Sequence, residues 1–350
     1  MHIVIDARMV GEQLHGISRY TLSLLKTFTT LHTKHRFTLL VTHDLLKKIL
    51  PFEVKRMTSP WLSIGEQLEL PMVLKKLSPD LFHSPSFCMS WTCPVPYLMT
   101  LHDMNHLAFK KEQKISSLLY YKIILKQAVK KARKIITVSQ FSKKEILKFF
   151  DIFPDKIKVI YNGVDASFFS PAASPQIEKV RHKYHLPCSF MLYCGNSKKH
   201  KNLDRVIQAF QTFSNQTDLA ILGVSSPSIR KKYLHYLSNV EEKDLPAIYQ
   251  MSQAVLFPSL YEGFGFPAVE ALAMGKCLIT SNSSSLPELV EHAALQVDPT
   301  SVEAIRTAIT QARLLPASYI NTDGIKQAQK FSWLHAAQQT LEIYENCRRS

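Results

Sequence analysis

Two carboxylates frame a glycine turn in the segment YEGFGFPAVEALAMGK, residues 261–276. Glu262 stands directly before Gly263, Phe264, Gly265 and Phe266, and Glu270 follows Glu262 after seven intervening residues. The chain holds only 10 glycines in 350 residues, under half of the roughly 7% average usage, so glycine is kept where the backbone needs positive φ or a close neighbour. The preceding AVLFPS reads as a strand, Pro267 fits the first position of a helix, and Gly275 fits the position that closes it. The two glycines then lie in a strand-to-helix turn whose backbone N–H groups can face an anion at the helix N-terminus. Glu270, read in the first helical turn, suits a pair of ribose hydroxyls, and Glu262 suits a sugar ring. Phosphate on amides and hydroxyls on carboxylates is the chemistry of a nucleotide-sugar site. Two readings compete with it. An acid in a first turn also acts as a plain cap, worth about 0.3–1 kcal/mol through the helix dipole. The string G-F-G-F-P-A also matches the dinucleotide pattern G-x-G-x-x-A, although the next strand, CLIT, leads to Ser281 and Asn282 with no acid for an adenosine ribose.

Such a turn needs a sheet to hold it. Short apolar runs alternate with helical patterns along the chain, which predicts βαβ units and mainly parallel sheets. The first half offers strands at HIVIDA, RFTLLVT, PYLMTL, KIITVS and KIKVIY, with helices near 17–31, 115–133 and 140–150. After SFFSPAASPQ a second series begins, with strands at FMLYCG, LAILG, AVLFPS and CLITS and helices near 202–213, 245–252 and 267–274. The tail FSWLHAAQQTLEIYENC reads as a helix, apolar at Trp333, Ala336, Ala337, Leu341 and Tyr344. The expected division is 1–167, 168–331 and a closing helix 332–350 that returns to the first domain. Ligands of open parallel sheets bind beyond the carboxyl ends of the strands. Gly16, His102, Ser139, Gly195, Gly223, Glu262 and Ser281 follow those predicted ends in both halves, so a cleft between two facing domains is where they would meet.

Composition narrows the function classes. Apolar content of 46% and charged content of 20% describe a folded globular chain. No apolar run approaches the roughly 18 residues of a membrane span. The start MHIVIDARMV carries an early acid and reads as a strand, not a leader. Six cysteines show no C-x-x-C pair, so reduced thiols in a cytoplasmic protein are expected, without a structural zinc. The formal charge of +15 is local: residues 110–148 hold 12 basic and 2 acidic residues, a net of +10. Lys122, Lys126 and Lys130 recur every fourth residue beside Leu118, Ile124, Leu125 and Ala128. The segment reads either as a solvated face or as a basic amphipathic helix held at the anionic inner face of a membrane. Nucleic acid, the other anionic partner, needs a reading motif besides lysines; Tyr120 and Tyr121 alone do not make one.

The stretch E-G-F-G-F-P-A-V-E resembles the E-x7-E signature of retaining glycosyltransferase family 4, of GT-B architecture, and the likeness runs through most of the chain. HGISRYTLSLL resembles the family's N-terminal glycine loop and helix, TLHDM its His-Asp strand end, TVSQFSKKEI its Val-Ser turn and YNGVDASFF its interdomain junction. LYCGNSKKHKNLDRVIQAF resembles the phosphate-binding turn, and LPAIYQMSQAVLFPSLYEGF, SNSSSLPEL and FSWLHAA complete the ordered set. The resemblance implies two Rossmann-like domains facing across a deep cleft. It also implies transfer of a hexose, mannose or glucose, from a nucleotide diphosphate sugar to a lipid-linked or growing saccharide, with retained configuration and no cofactor or metal. It implies roles as well. Gly16 admits the donor diphosphate, His102 contacts the transferred sugar, and Lys201 pairs with the phosphates. Gly195 and Asn196 belong to the phosphate turn; Glu262 and the backbone of Gly263, Phe264, Gly265 and Phe266 hold the sugar, and Glu270 the ribose. Asp103 orients its loop, and His83 is an ordinary structural histidine. Asn196 and His200 stand where relatives often carry Arg, and Ser18 where the GIGRY-like mannosyltransferase subgroup has glycine. A non-catalytic donor-binding subunit is therefore the alternative reading.

Overall fold

The computed structural model describes residues 1–11, 15–109, 120–226, 231–316 and 318–349. The start of the predicted helix 115–133, with Leu118, lies outside them. The chain divides into two compact units, Met1–Gly163 with Ser332–Ser350, and Val164–Phe331.

The first unit is built on seven parallel strands: β1 (His2–Asp6), β2 (Arg36–Val41), β3 (Glu53–Arg56), β4 (Leu81–Ser84), β5 (Tyr97–Leu101), β6 (Ile135–Thr137) and β7 (Ile157–Val159), in the order β3-β2-β1-β4-β5-β6-β7. Alternate residues of each strand serve opposite faces. Ile3, Ile5, Leu39, Leu81 and Leu98 pack under the helices Gly16–Thr30 and Trp333–Arg349. Val4, Leu40, Phe82, Met99 and Leu101 pack on the other face, under Glu66–Leu77 and the segment 120–131. That segment opens with a wide turn over Tyr121–Leu125 before the α-helix Lys126–Lys131. Both sheet faces are covered, which is why the strands read as nearly continuous apolar runs.

The second unit repeats the plan with six parallel strands: β8 (Phe190–Cys194), β9 (Asp218–Leu222), β10 (Leu234–Leu237), β11 (Ala254–Phe257), β12 (Cys277–Ser281) and β13 (Leu295–Val297), ordered β10-β9-β8-β11-β12-β13. In each sheet the order turns at one point, between β1 and β4 and between β8 and β11. A crevice at the carboxyl ends of such a pair is where this class of sheet holds ligands. Among the described residues no helix is long and apolar enough to cross a membrane, and all six cysteines are free.

Candidate active site

The turning point of the second sheet carries the acid and base picked out from the sequence. Gly195 follows β8 directly; a Cβ there would come within 2.7 Å of the Tyr193 hydroxyl. That hydroxyl donates to the backbone carbonyl of Lys201 at 2.9 Å, fixing where the lysine leaves the chain. Asn202 takes a left-handed φ of 65°, a conformation Asn tolerates better than most residues. Its side-chain amide donates to the carbonyls of Pro258, at 2.9 Å, and Pro299, at 2.6 Å. The amide N–H of Leu260 donates to the carbonyl of His200 at 2.7 Å. These bonds stitch the turn after β8 to the loop after β11. Across the seam the Lys201 ammonium meets the Glu262 carboxylate at 2.7 Å, and both side chains are largely shielded. The same ammonium lies 5.5 Å from the centre of the Phe257 ring.

Beyond Glu262 the turn differs in detail from expectation. Of its two glycines, only Gly265 takes positive φ, at 118°. A side chain there would meet Leu286 at 2.8 Å and Phe257 at 3.3 Å. The Phe264 carbonyl accepts from the Ser285 hydroxyl at 2.7 Å, and the Phe264 ring packs edge-on against Phe266, 5.4 Å away. The helix opens at Phe266, one residue earlier than the sequence suggested, so Pro267 is its second residue. Glu270 is therefore fifth and sits beyond the first turn. It is only 2% exposed, and its carboxylate accepts from the Tyr249 hydroxyl at 2.9 Å. Burial holds that phenol protonated well above its ordinary pKa, so Tyr249 is a fixed donor that orients the carboxylate. Asn196 is exposed, and its side-chain oxygen accepts from the Lys198 N–H at 3.1 Å, closing the turn on itself.

Two of the predicted residues belong to the first unit. His102 follows β5, and its Nε2 lies 3.0 Å from the Pro85 carbonyl. A carbonyl can only accept, so Nε2 carries the proton and Nδ1 is the acceptor nitrogen. Burial lowers the pKa of this imidazole, which favours the neutral form. The Tyr20 ring stands edge-on to it at 4.7 Å. Tyr20 is held in turn: its hydroxyl is 3.1 Å from Thr100 Oγ1, which is 2.9 Å from His83 Nε2, and His83 Nδ1 is 2.6 Å from the Tyr344 hydroxyl on the C-terminal helix. His83 is structural, as read from sequence. Gly16 is the first residue of its helix, and a Cβ there would meet nothing within 4 Å among the described residues. Just after β1, the buried Arg8 guanidinium bridges Asp6, at 2.6 Å, and Glu66, at 2.5 Å. Among the described residues no cluster of three His, Cys, Asp or Glu is placed to hold a metal ion.

The sequence reading named the carboxylates, the lysine and the glycines but missed the residues that aim them. Tyr193, Tyr249 and Tyr20 are buried hydrogen-bonding or packing side chains inside apolar runs, where composition reads them as core, and Asn202 is buried within the basic stretch KKHKNLDR. Asn202 alone left a local signal, an Asn directly before a helical pattern.

Residues 14–168 match the family model for Glycosyltransferase Family 4, and residues 178–329 match that for Glycosyl transferases group 1. The chain is 27% identical to the O-antigen chain mannosyltransferase B of Escherichia coli, over 99% of this chain and 100% of that one. Among solved structures, a glycosyltransferase from Rickettsia africae matches with a TM-score of 0.75 at 21% identity, covering 99% of this chain and 98% of the other. HepE of Anabaena, solved in complex with UDP-glucose, matches with a TM-score of 0.76 at 19% identity, covering 99% and 100%. The fold and the two models, which between them take in most of the sequence, agree: the chain belongs to the group 1 and family 4 glycosyltransferases of GT-B fold, and it is a hexosyltransferase.

Proposed function

We propose that the protein is a retaining, metal-independent transferase that moves a hexose from a nucleoside diphosphate donor to a lipid-linked or growing saccharide. Mannose is the favoured hexose, because the full-length relative is an O-antigen chain mannosyltransferase; glucose is the second, since HepE was solved with UDP-glucose. The observation that carries the reading is the Lys201–Glu262 pair at the turning point of the second sheet. Without donor, the two charges satisfy each other. A pyrophosphate arriving at this seam takes the ammonium as its counter-ion, in a charge-assisted contact that strengthens as the leaving group gains negative charge. Glu262 is then released to accept from sugar hydroxyls. The N–H groups at the Gly265 end of the helix add positive potential, and together with Lys201 they serve the leaving phosphate without a divalent cation. Glu270, aimed by Tyr249, takes the ribose hydroxyls. Gly195 and Asn196 shape the phosphate turn, and Gly16, with open space at its Cβ position, leaves room for the diphosphate. His102, neutral with its acceptor nitrogen at Nδ1, contacts the transferred sugar.

Donor turnover with GDP-mannose and UDP-glucose, in buffer containing a chelator, tests this directly. Lys201→Ala and Glu270→Ala should each cut transfer at least about 10²-fold while circular dichroism stays unchanged, and the product should keep the donor's anomeric configuration by NMR. Normal turnover in both variants would defeat the assignment. An inverted product or full dependence on added metal would defeat the mechanism.

A further inference from the structure

We infer that the outer surface of the first unit, over the helix Glu66–Leu77 and the segment 120–131, is a docking face for an anionic lipid bilayer. The first helix is apolar on two sides. Inward, Leu70 and Leu74 are fully buried. Its acids are also consumed inside or at its edge: Glu66 is buried on Arg8, and Glu69 accepts from the N–H groups of Thr58 and Ser59 at 2.8 and 2.6 Å. What remains exposed on the helix is Leu68, Met72, Lys75 and Lys76. Ile64, just before the helix, is 89% exposed, Leu68 69% and Met72 64%. Positions 64, 68, 72 and 76 are spaced one turn apart and form one stripe. Scattered exposed leucines are ordinary, but a turn-by-turn apolar stripe on a helix already buried on its other side calls for a second apolar phase.

The neighbouring segment repeats the composition. Tyr121, Leu125, Ala128 and Val129 are buried, while Ile123, Lys126, Lys130 and Lys131 are exposed. A loop ties the two together. The Gln67 side chain accepts from the Trp91 N–H at 2.9 Å and donates to the Met89 carbonyl at 3.2 Å. The Tyr120 hydroxyl accepts from the Met89 N–H at 2.9 Å. Trp91 is thus fixed between the two elements with its ring half exposed.

Charge selects the occupant. The exposed residues of both elements include five lysines and no acid. A second copy of this chain would set lysines against lysines, whereas anionic headgroups complement them. Apolar side chains, lysines and a tryptophan on one face are the combination that settles at a bilayer interface. Leu62 and Ile64 lie in the connection leaving the carboxyl end of β3, the end of the sheet that also bears His102. On the reading that the acceptor is lipid-linked, docking here brings it to that edge.

The test reads binding, not turnover, so it stands apart from the transferase assignment. Purified protein is floated with phosphatidylcholine vesicles, neutral or containing roughly one-third phosphatidylglycerol. Binding is expected to the anionic vesicles only, with a blue shift of tryptophan emission that Trp91→Phe removes. Lys75→Gln/Lys76→Gln should lower the partition coefficient about thirtyfold, from roughly a fivefold loss per lysine. Leu68→Ser/Met72→Ser, at exposed positions that leave the melting midpoint unchanged, should lower binding at least about tenfold. Equal binding to neutral vesicles, or wild-type binding by the Ser double variant, overturns the proposal. So does a dimer seen by light scattering that the same double variant dissociates.

Discussion

Lys201 and Glu262 are each other's partner only until an anion competes, so single changes at this pair should damage catalysis more than folding. Lys201→Ala leaves Glu262 without its ammonium at a seam held by hydrogen bonds of Asn202 and Leu260 that do not involve either side chain. We expect kcat to fall by about 10²–10³-fold, with the urea midpoint shifted little; a loss of stability matching the loss of activity would make the pair structural. The glycines make a sharper contrast. Gly265→Ala adds a Cβ 2.8 Å from Leu286 at a φ of 118°, and strain of this kind costs about 1–3 kcal/mol. Gly16→Ala meets nothing within 4 Å and should leave stability within about 0.5 kcal/mol of wild type, yet raise the donor KM. Urea titrations and donor titrations on the two variants check both halves. A Gly16→Ala enzyme with unchanged KM would remove Gly16 from the donor site.

At the scale of elements, the C-terminal helix Trp333–Arg349 is part of the first unit's core, through Ala336, Ala337, Ile343, Tyr344 and Cys347. Its Tyr344 hydroxyl satisfies His83 inside β4. Tyr344→Phe removes the partner of a buried nitrogen and should cost about 1–3 kcal/mol. The same histidine gives an acid signature. Burial pushes the His83 pKa down to about 3 from an ordinary 6.5. Between those values the unfolded chain takes up a proton that the folded one refuses, so stability falls as pH drops through that window, by at most about 1.4 kcal/mol per pH unit. Above 6.5 the group contributes no slope. Urea midpoints of wild type and His83→Gln across that range test it; parallel curves would deny His83 the role. These elements also mark where sequence stops being legible. The apolar strands β1, β2, β5, β6, β7, β8, β9, β11 and β12 were readable, as was the tail helix. β3 (EVKR), β4 (LFHS), β10 (LHYL) and β13 (LQV) were not, being short runs interrupted by polar residues. Glu66–Leu77 escaped because its two apolar sides blur the helical period and Pro71 reads as a breaker. In the site, residue types that bear charge were visible, whereas Tyr193 and Tyr249, which act through tertiary hydrogen bonds, had no local pattern to betray them.

At the scale of the whole molecule, two units with separate cores are joined by two chain crossings, at 163–164 and 331–332. Multi-unit chains depart from two-state unfolding, and calorimetry should resolve two transitions that respond to different changes. Of the groups proposed for the donor nucleotide, Lys201, Gly265 and Glu270 belong to 164–331, whereas Gly16, in the first unit, only leaves room for the diphosphate. A nucleoside diphosphate at about 100 times its dissociation constant should therefore stabilise that unit by about 2.7 kcal/mol, or roughly 5–10 °C for a unit of this size. Tyr344→Phe acts in the other core and should lower only the other transition. Glu270→Ala should cancel the nucleotide shift, because the buried carboxylate that Tyr249 holds in place is what the ribose would bind. GDP and UDP compared in the same scans rank the donors, since the larger shift at equal concentration marks the tighter nucleotide. One transition that moves as a whole under Tyr344→Phe and under nucleotide alike would show the units melting as one body and defeat this prediction. A nucleotide shift that survives Glu270→Ala would take the ribose away from Glu270 and leave the Lys201 seam to hold the phosphates alone.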